Sequence, residues 1–307
     1  MKVSVIVCTY SPGMMNNCLE CINSLKNQSY DNLEIICIVD GNEDYYRKLK
    51  DVLDKDIRLY LNEKNMGLLI SRNRGGKLAN GDIIAFIDDD AVAHENWISE
   101  LVKMYENYDA IAAGGKMEPL WLVKKPVWFP EEFYWLIGVT HAGFPDKICE
   151  VRNTFGSNLS FRRDVFLSLG GFNVEMGGIK GKRMLQGGET DLCIRMYRKF
   201  GKKVMYNPNA IVYHKIFERR TKPGFLIRRS FWQGYSKAVM EKLGGQTGEE
   251  SNFLKYLLFN SIPHRIKKIV KGEEMTSNFL KLLAISGLTA SVGLGYFYGR
   301  FLKTLNP

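Results

Sequence analysis

An unbroken apolar run, Ile83-Ile84-Ala85-Phe86-Ile87, leads straight into three consecutive carboxylates, Asp88-Asp89-Asp90. An apolar segment of that length suits a strand buried on both faces of a parallel sheet. The acids then fall at the strand's carboxyl end, where open α/β sheets bind their ligands. Three adjacent acids repel one another and lose hydration on burial, so the arrangement calls for a compensating cation. Hard divalent ions such as Mg²⁺ and Mn²⁺ prefer carboxylate oxygens. A solvated acidic turn is the alternative that this stretch alone leaves open.

The segments before it repeat the pattern. Residues 3–8 read as a strand closing on Thr9, and residues 14–28 as a helix with Leu19, Ile22 and Leu25 on one face. Residues 33–39 form a second buried strand closing on Asp40-Gly41. A helix over 43–54, a strand over 57–61 and a helix over 67–78 then lead to the acidic strand. This alternation predicts an α/β fold with a mostly parallel, doubly wound sheet. Thr9, Asp40 and Asp88 to Asp90 would converge on one edge, as in a nucleotide pocket. No G-x-G-x-x-G follows the first strand and no Walker A sequence occurs, which disfavours dinucleotide binding and P-loop chemistry.

Six pieces, in order, give the chain a resemblance to the family 2 glycosyltransferases, whose fold is GT-A. They are Val3-Ser4-Val5-Ile6-Val7-Cys8-Thr9-Tyr10, Val39-Asp40-Gly41, Ser71-Arg72-Asn73-Arg74-Gly75 and Ile87-Asp88-Asp89-Asp90. Phe155-Gly156-Ser157-Asn158-Leu159-Ser160-Phe161-Arg162-Arg163 and Gly188-Glu189-Thr190-Asp191-Leu192 complete the set. The resemblance covers roughly residues 1–235. It implies a nucleotide-contacting set of Thr9, Tyr10, Asp40, Arg72, Asp88 and Asp89. Thr9 and Asp40 would hold the uracil and ribose of a UDP-sugar, and Arg72 would lie beside the base or diphosphate. Asp90, Asp88 and His214 are the implied ligands of Mn²⁺ or Mg²⁺. The family pattern near residue 188 is Glu-Asp-x-Asp, with the base second; here Gly188 replaces the Glu and Glu189 stands at the base position. Glu189 is therefore the implied catalytic base and Asp191 its rival. Without the resemblance, a first-turn acid reads as a helix cap and a lone histidine as a structural residue.

Residues 116–151 are rich in aromatics, including Trp121, Trp128 and Trp135, which suit sugar stacking or an ordinary core. The glycine-rich stretch 173–187, with Lys180, Lys182 and Arg183, suits a basic loop closing over a diphosphate. Cys18 and Cys21 lack the second pair a zinc site needs, so the six cysteines read as reduced thiols of a cytosolic domain.

The whole net charge of +10 resides in residues 215–307; the first 214 residues are balanced. Residues 251–271 mix apolar and basic groups as an interfacial segment does. No charge interrupts the 18 residues between Lys281 and Arg300, the lower limit for a membrane span. The alternative is a helix packed on the domain or on a second copy of the chain, which leaves a homo-oligomer open. A basic tail of this kind with an apolar stretch disfavours nucleic acid as a partner. The expected layout is a GT-A domain over 1–235, a basic interfacial segment over 236–275 and a hydrophobic helix over 276–307.

The resemblance thus implies an inverting, metal-dependent transfer of one sugar from a nucleotide sugar. The acceptor would be a membrane-proximal saccharide linked to polyprenyl or dolichyl phosphate. The catalytic domain would lie on the cytoplasmic side of a membrane. The Gln-x-x-Arg-Trp signature of processive synthases is missing, so a single transfer is expected. A nucleotidyl- or phosphotransferase using the same carboxylates, or an inactive sugar-binding module, is the alternative.

Overall fold

The structure, a computed structural model, describes residues 1–180, 183–242 and 248–301. Gly181 and Lys182 of the basic glycine-rich stretch lie outside the described residues, as do 243–247 and 302–307 of the tail. Two units are distinguished. Unit 1 holds residues 1–119, 145–178 and 188–215; unit 2 holds 120–144, 179–187 and 216–307.

Unit 1 is built on β1 (Val3–Thr9), α1 (Met15–Lys26), β2 (Leu33–Asp40), α2 (Glu43–Val52), β3 (Arg58–Asn62), α3 (Leu68–Leu78) and β4 (Ile83–Asp88). The four strands pair in parallel in the order β3-β2-β1-β4. In β1 and β4 the β-branched and aliphatic residues are buried on both faces, as their continuous apolar runs require, while the edge strand β3 stays half-buried. Next come β5 (Ala91–Ala93), α4 (Trp97–Asn107), β6 (Ala112–Trp121), β7 (Cys149–Val151), β8 (Leu159–Arg162) and α5 (Arg163–Ser168). In the chain a ribbon of β9 (Gly178–Lys180) and β10 (Arg183–Leu185), which falls almost wholly in unit 2, precedes α6 (Gly188–Phe200) and β11 (Val204–Ile216). Past β4 the sheet continues β8-β6-β11-β5, with β7 also on β11. In this half β8 is antiparallel to β4 and β6, and β11 is antiparallel to β5 and β7. Within the motif at 155–163, β8 begins at Leu159. Asn158 N–H closes a turn on Phe155 O at 2.8 Å. The Asn158 side chain, fully buried, then joins Trp97 Nε1, Lys116 O and Ala210 O.

Asp40, the last residue of β2, shapes the entry to α3. It accepts from Asn62 Nδ2 at 2.7 Å, Met66 N–H at 2.9 Å and Gly67 N–H at 2.8 Å. The chain passes close by at Gly41 (φ +76°), where a Cβ would lie 2.0 Å from Asn65 N; only glycine suits that position.

Unit 2 gathers a 3₁₀ segment, Glu131–Ile137, with α7 (Pro223–Lys242), α8 (Gly248–Tyr256), α9 (Ile262–Val270) and α10 (Met275–Phe301). Its core contains Phe129, Phe133, Leu136, Leu226, Leu257, Ile285 and Leu288. Trp121, Trp128 and Trp135 pack against this core. An ion-pair network ties the 3₁₀ segment to the helices. Buried Glu132 meets buried Arg265 at 2.7 Å, while Glu131 contacts Arg265 at 3.0 Å and Lys125 and Lys281 at 2.9 Å. Burial pushes the Glu131 carboxyl up, but Lys125, Lys281 and Arg265 outweigh it and hold it at about 2.

Two outcomes follow from these contacts. Asp40→Asn sets an amide N–H against a backbone donor and should cost about 2 kcal/mol, read as a lower Tm with no nucleotide present. Glu131 has a depressed folded-state pKa, so its contribution is complete above the unfolded value of about 4.5. It should be lost as pH falls from there towards 2, at about 2 kcal/mol after allowance for partial exposure. Urea unfolding at pH 6 and pH 3 would show this, and the Glu131→Gln chain should lose less over the same interval.

Candidate active site

The register of the parallel strands sets the site. Thr9 pairs with Val39, Cys8 with Asp88 and Asp40 with Asn62, so the polar strand ends share one edge. From the other half of the sheet, β11 places His214 opposite Ala91, one residue past Asp90. Lys215 N–H then donates to Asp90 O at 3.0 Å, which closes the approach. Lys215 Nζ, almost fully buried, reaches Asn17 Oδ1 at 2.9 Å and pairs with Glu20 on α1.

Each of the three adjacent carboxylates meets a different partner. Asp88 is held by Arg72 at 2.5 Å, and its N–H donates to Ser157 Oγ at 2.9 Å. Asp89 accepts from Thr9 Oγ1 at 2.6 Å, and Thr9 Oγ1 also lies 3.1 Å from Tyr45 OH. Asp90 Oδ1 stands 3.3 Å from His214 Nε2. Arg72 is itself buried, with its guanidinium over the rings of Phe86 and Phe172. Burial pushes the Asp89 carboxyl up to about 7; the Thr9 hydroxyl pulls the other way, and the Asp90 and Asp88 charges add to the rise. Proximity of three acids thus carries a cost that a cation would relieve.

Asp88, Asp90 and His214 offer one ligand atom each, all within 4.8 Å of one another. Two carboxylates and an imidazole make a donor set that fits a divalent cation.

At the start of α6 the two candidate bases differ. Asp191 is ion-paired with Arg195 at 2.8 Å, and Arg195 also donates to Leu169 O and Gly171 O at 2.6 and 2.7 Å. Glu189 is half-buried in the first turn and has no hydrogen-bond or ion-pair partner among the described residues. At position 188 a Cβ would lie 2.7 Å from Leu69 Cδ1 of α3, the end of a side chain that can turn aside.

Among the expected nucleotide contacts, Thr9, Arg72, Asp88 and Asp89 form one connected set. Tyr10 is exposed beside them, and the Asp40 oxygens are engaged by the α3 entry. Sequence reading did not single out Tyr45, Asn62 or Ser157. Ser157 sits inside a quoted motif, which was a usable signal; Tyr45 and Asn62 are joined to the edge only by the fold. Lys215 too had no signal beyond its place after His214.

Residues 4–170 match the glycosyl transferase family 2 profile. A curated relative from Haloferax volcanii, a glucosyl-dolichyl phosphate glucuronosyltransferase, is 45% identical over 99% of this chain and 98% of its own length. An uncharacterized glycosyltransferase of Haemophilus influenzae is 40% identical over 37% of this chain and 35% of its own length. Among solved structures, the mannosyltransferase PcManGT of Pyrobaculum calidifontis, in complex with GDP-Man and Mn²⁺, superposes with a TM-score of 0.60 at 16% identity. The match covers 99% of this chain and 88% of that one. GalNAc-T7 with UDP, GalNAc and Mn²⁺ gives 0.57 at 15% identity over 82% and 53%. The sheet, the acidic strand end and these likenesses agree: the chain is a GT-A-fold enzyme and belongs to glycosyltransferase family 2.

Proposed function

We propose that the chain transfers one sugar from a UDP-sugar to a saccharide carried on polyprenyl or dolichyl phosphate, with inversion at the anomeric carbon. The observation that carries the reading is the meeting of Asp88, Asp90 and His214 at the carboxyl edge of the parallel strands. The name of the Haloferax relative supports a glucuronosyl donor and a glucosyl-dolichyl phosphate acceptor as the first pair to try. Six free thiols fit a catalytic unit on the reducing, cytoplasmic side of a membrane.

Glu189 takes the proton of the acceptor hydroxyl as that oxygen attacks the anomeric carbon. The bond from that carbon to the diphosphate breaks on the opposite side, and UDP departs. Thr9 and Tyr10 border the base, and Arg72 keeps Asp88 in place. A divalent ion held by Asp90, Asp88 and His214 would supply charge neutralisation for the leaving diphosphate. The imidazole in the set favours Mn²⁺ over the harder Mg²⁺.

The function is tested by incubating the chain with UDP-glucuronate and a glucosyl-phosphoryl polyprenol and weighing the lipid product. Addition of one uronic acid residue with release of UDP supports the reading. Release of inorganic phosphate or diphosphate instead would point to phosphoryl or nucleotidyl transfer and sink it. Glu189→Gln should lower turnover by about 10²–10⁴ while the thermal shift given by UDP with Mn²⁺ remains. At about one hundred times its Kd that ligand should add about 2.7 kcal/mol. His214→Ala should weaken Mn²⁺ binding by roughly 10-fold or more, measured by titration of the paramagnetic ion without any substrate.

A further inference from the structure

The 27 residues of α10 are long and apolar enough to cross a membrane by length and composition. Its two faces argue otherwise. One face presents Phe279, Leu283, Leu294 and Phe297, all exposed, with Ala290 between them. The opposite face is already used inside unit 2. Ile285 and Leu288 belong to the core, and Ser291 Oγ donates to Ile227 O of α7 at 2.9 Å. Gly295 lies so close to α7 that a Cβ would stand 1.8 Å from Phe231 O; Gly234 on α7 faces Val292 O at 1.9 Å in the same sense. Small residues at four-residue spacing let two helix backbones touch in this way.

The two helices run in the same direction. Ile227 meets Ser291, Phe231 meets Gly295, and Lys242 Nζ reaches Gly299 O at 2.8 Å. A span by α10 would therefore carry α7 with it or strip the seam apart. α7 bears Arg228, Arg229, Lys237, Glu241 and Lys242. Arg229 and Lys237 stand only ~12 Å apart along the axis, against a hydrocarbon core ~30 Å thick. Charges at that depth are expensive, so α7 does not suit a crossing.

The surroundings of α10 suit the membrane surface instead. On α9, exposed Ile266 and Val270 form an apolar stripe one turn long beside exposed Lys267 and Lys271. Phe259, just before it, is also exposed. Between α10 and the start of α7 runs an apolar groove of about 510 Å³, lined by Ile227, Phe231, Gly287 and Leu294 with Arg228. Arg228 is exposed and has no ion-pair partner among the described residues.

We propose that α9 and α10 form a docking face that lies in the plane of a bilayer interface rich in anionic headgroups, with α10 along the membrane and not through it. The inference rests on the proposed membrane-borne acceptor and specifies how the chain meets that membrane.

The test uses the full chain with Cys149 replaced by Ser, since the other cysteines are buried. A spin label is placed in turn at positions 279, 290 and 301, and the chain is mixed without detergent with phosphatidylcholine vesicles containing phosphatidylglycerol. In-plane docking predicts flotation with the vesicles and equal immersion depths at the three positions, which are ~33 Å apart end to end along the helix. A label at 290 that is deepest, with both ends shallow, indicates a span and overturns the proposal. Absence from the vesicle fraction together with dimeric elution assigns the face to a second copy and also overturns it. Phe297→Glu should lower partitioning at least tenfold with unchanged circular dichroism. Lys267→Glu with Lys271→Glu should remove the preference for phosphatidylglycerol over neutral vesicles. None of these readings needs turnover, so an inactive enzyme leaves them interpretable.

Discussion

Everything at the active edge answers to the repulsion among Asp88, Asp89 and Asp90. Each acid is assigned a partner from a separate element: Arg72 from α3, Thr9 from β1, His214 from β11. Those three elements come from residues far apart in the chain. The acidic tripeptide therefore works as a junction, and the sheet order is what allows it. β1 and β4 are neighbours in register, while the β11–β5 pairing returns His214 to the residue after Asp90. Burial, with a smaller push from the Asp90 and Asp88 charges, holds the Asp89 carboxyl up at about 7 despite the Thr9 hydroxyl.

The parallel half of the sheet was legible because strands buried on both faces leave an apolar run that periodicity cannot miss, as at 83–87. The acidic end of β4 was equally plain. The antiparallel half was not readable in the same way. Leu159–Arg162 follows Asn158, which serves as a hub for Trp97, Lys116 and Ala210, and nothing local announces that. Asp40 shows a further limit. Its place at a strand end was evident, but its engagement with the backbone of Met66 and Gly67 depends on a turn more than twenty residues on. The pairing of Asp191 with Arg195 was visible as an i,i+4 spacing; that Arg195 also reaches Leu169 O and Gly171 O was not. For Trp121, Trp128 and Trp135, composition allowed stacking on sugar or burial, and the three pack on a core of their own unit.

Gly188 marks the departure from the family pattern at the start of α6. A Cβ there would meet only the end of the half-buried Leu69 side chain, which can turn aside. The next residue, Glu189, is left with its carboxylate unengaged among the described residues.

The long-range closure of unit 2 has a consequence for synthesis. Phe129 and Phe133 share a core with Ile285 and Leu288, more than 150 residues later. The segments of unit 1 are complete once Lys215 has been made, whereas the aromatic segment of unit 2 stays without its closing helix until α10 emerges. At roughly 5–20 residues per second, that interval lasts several seconds or more. During translation the aromatic segment is thus made long before the helix that completes its core.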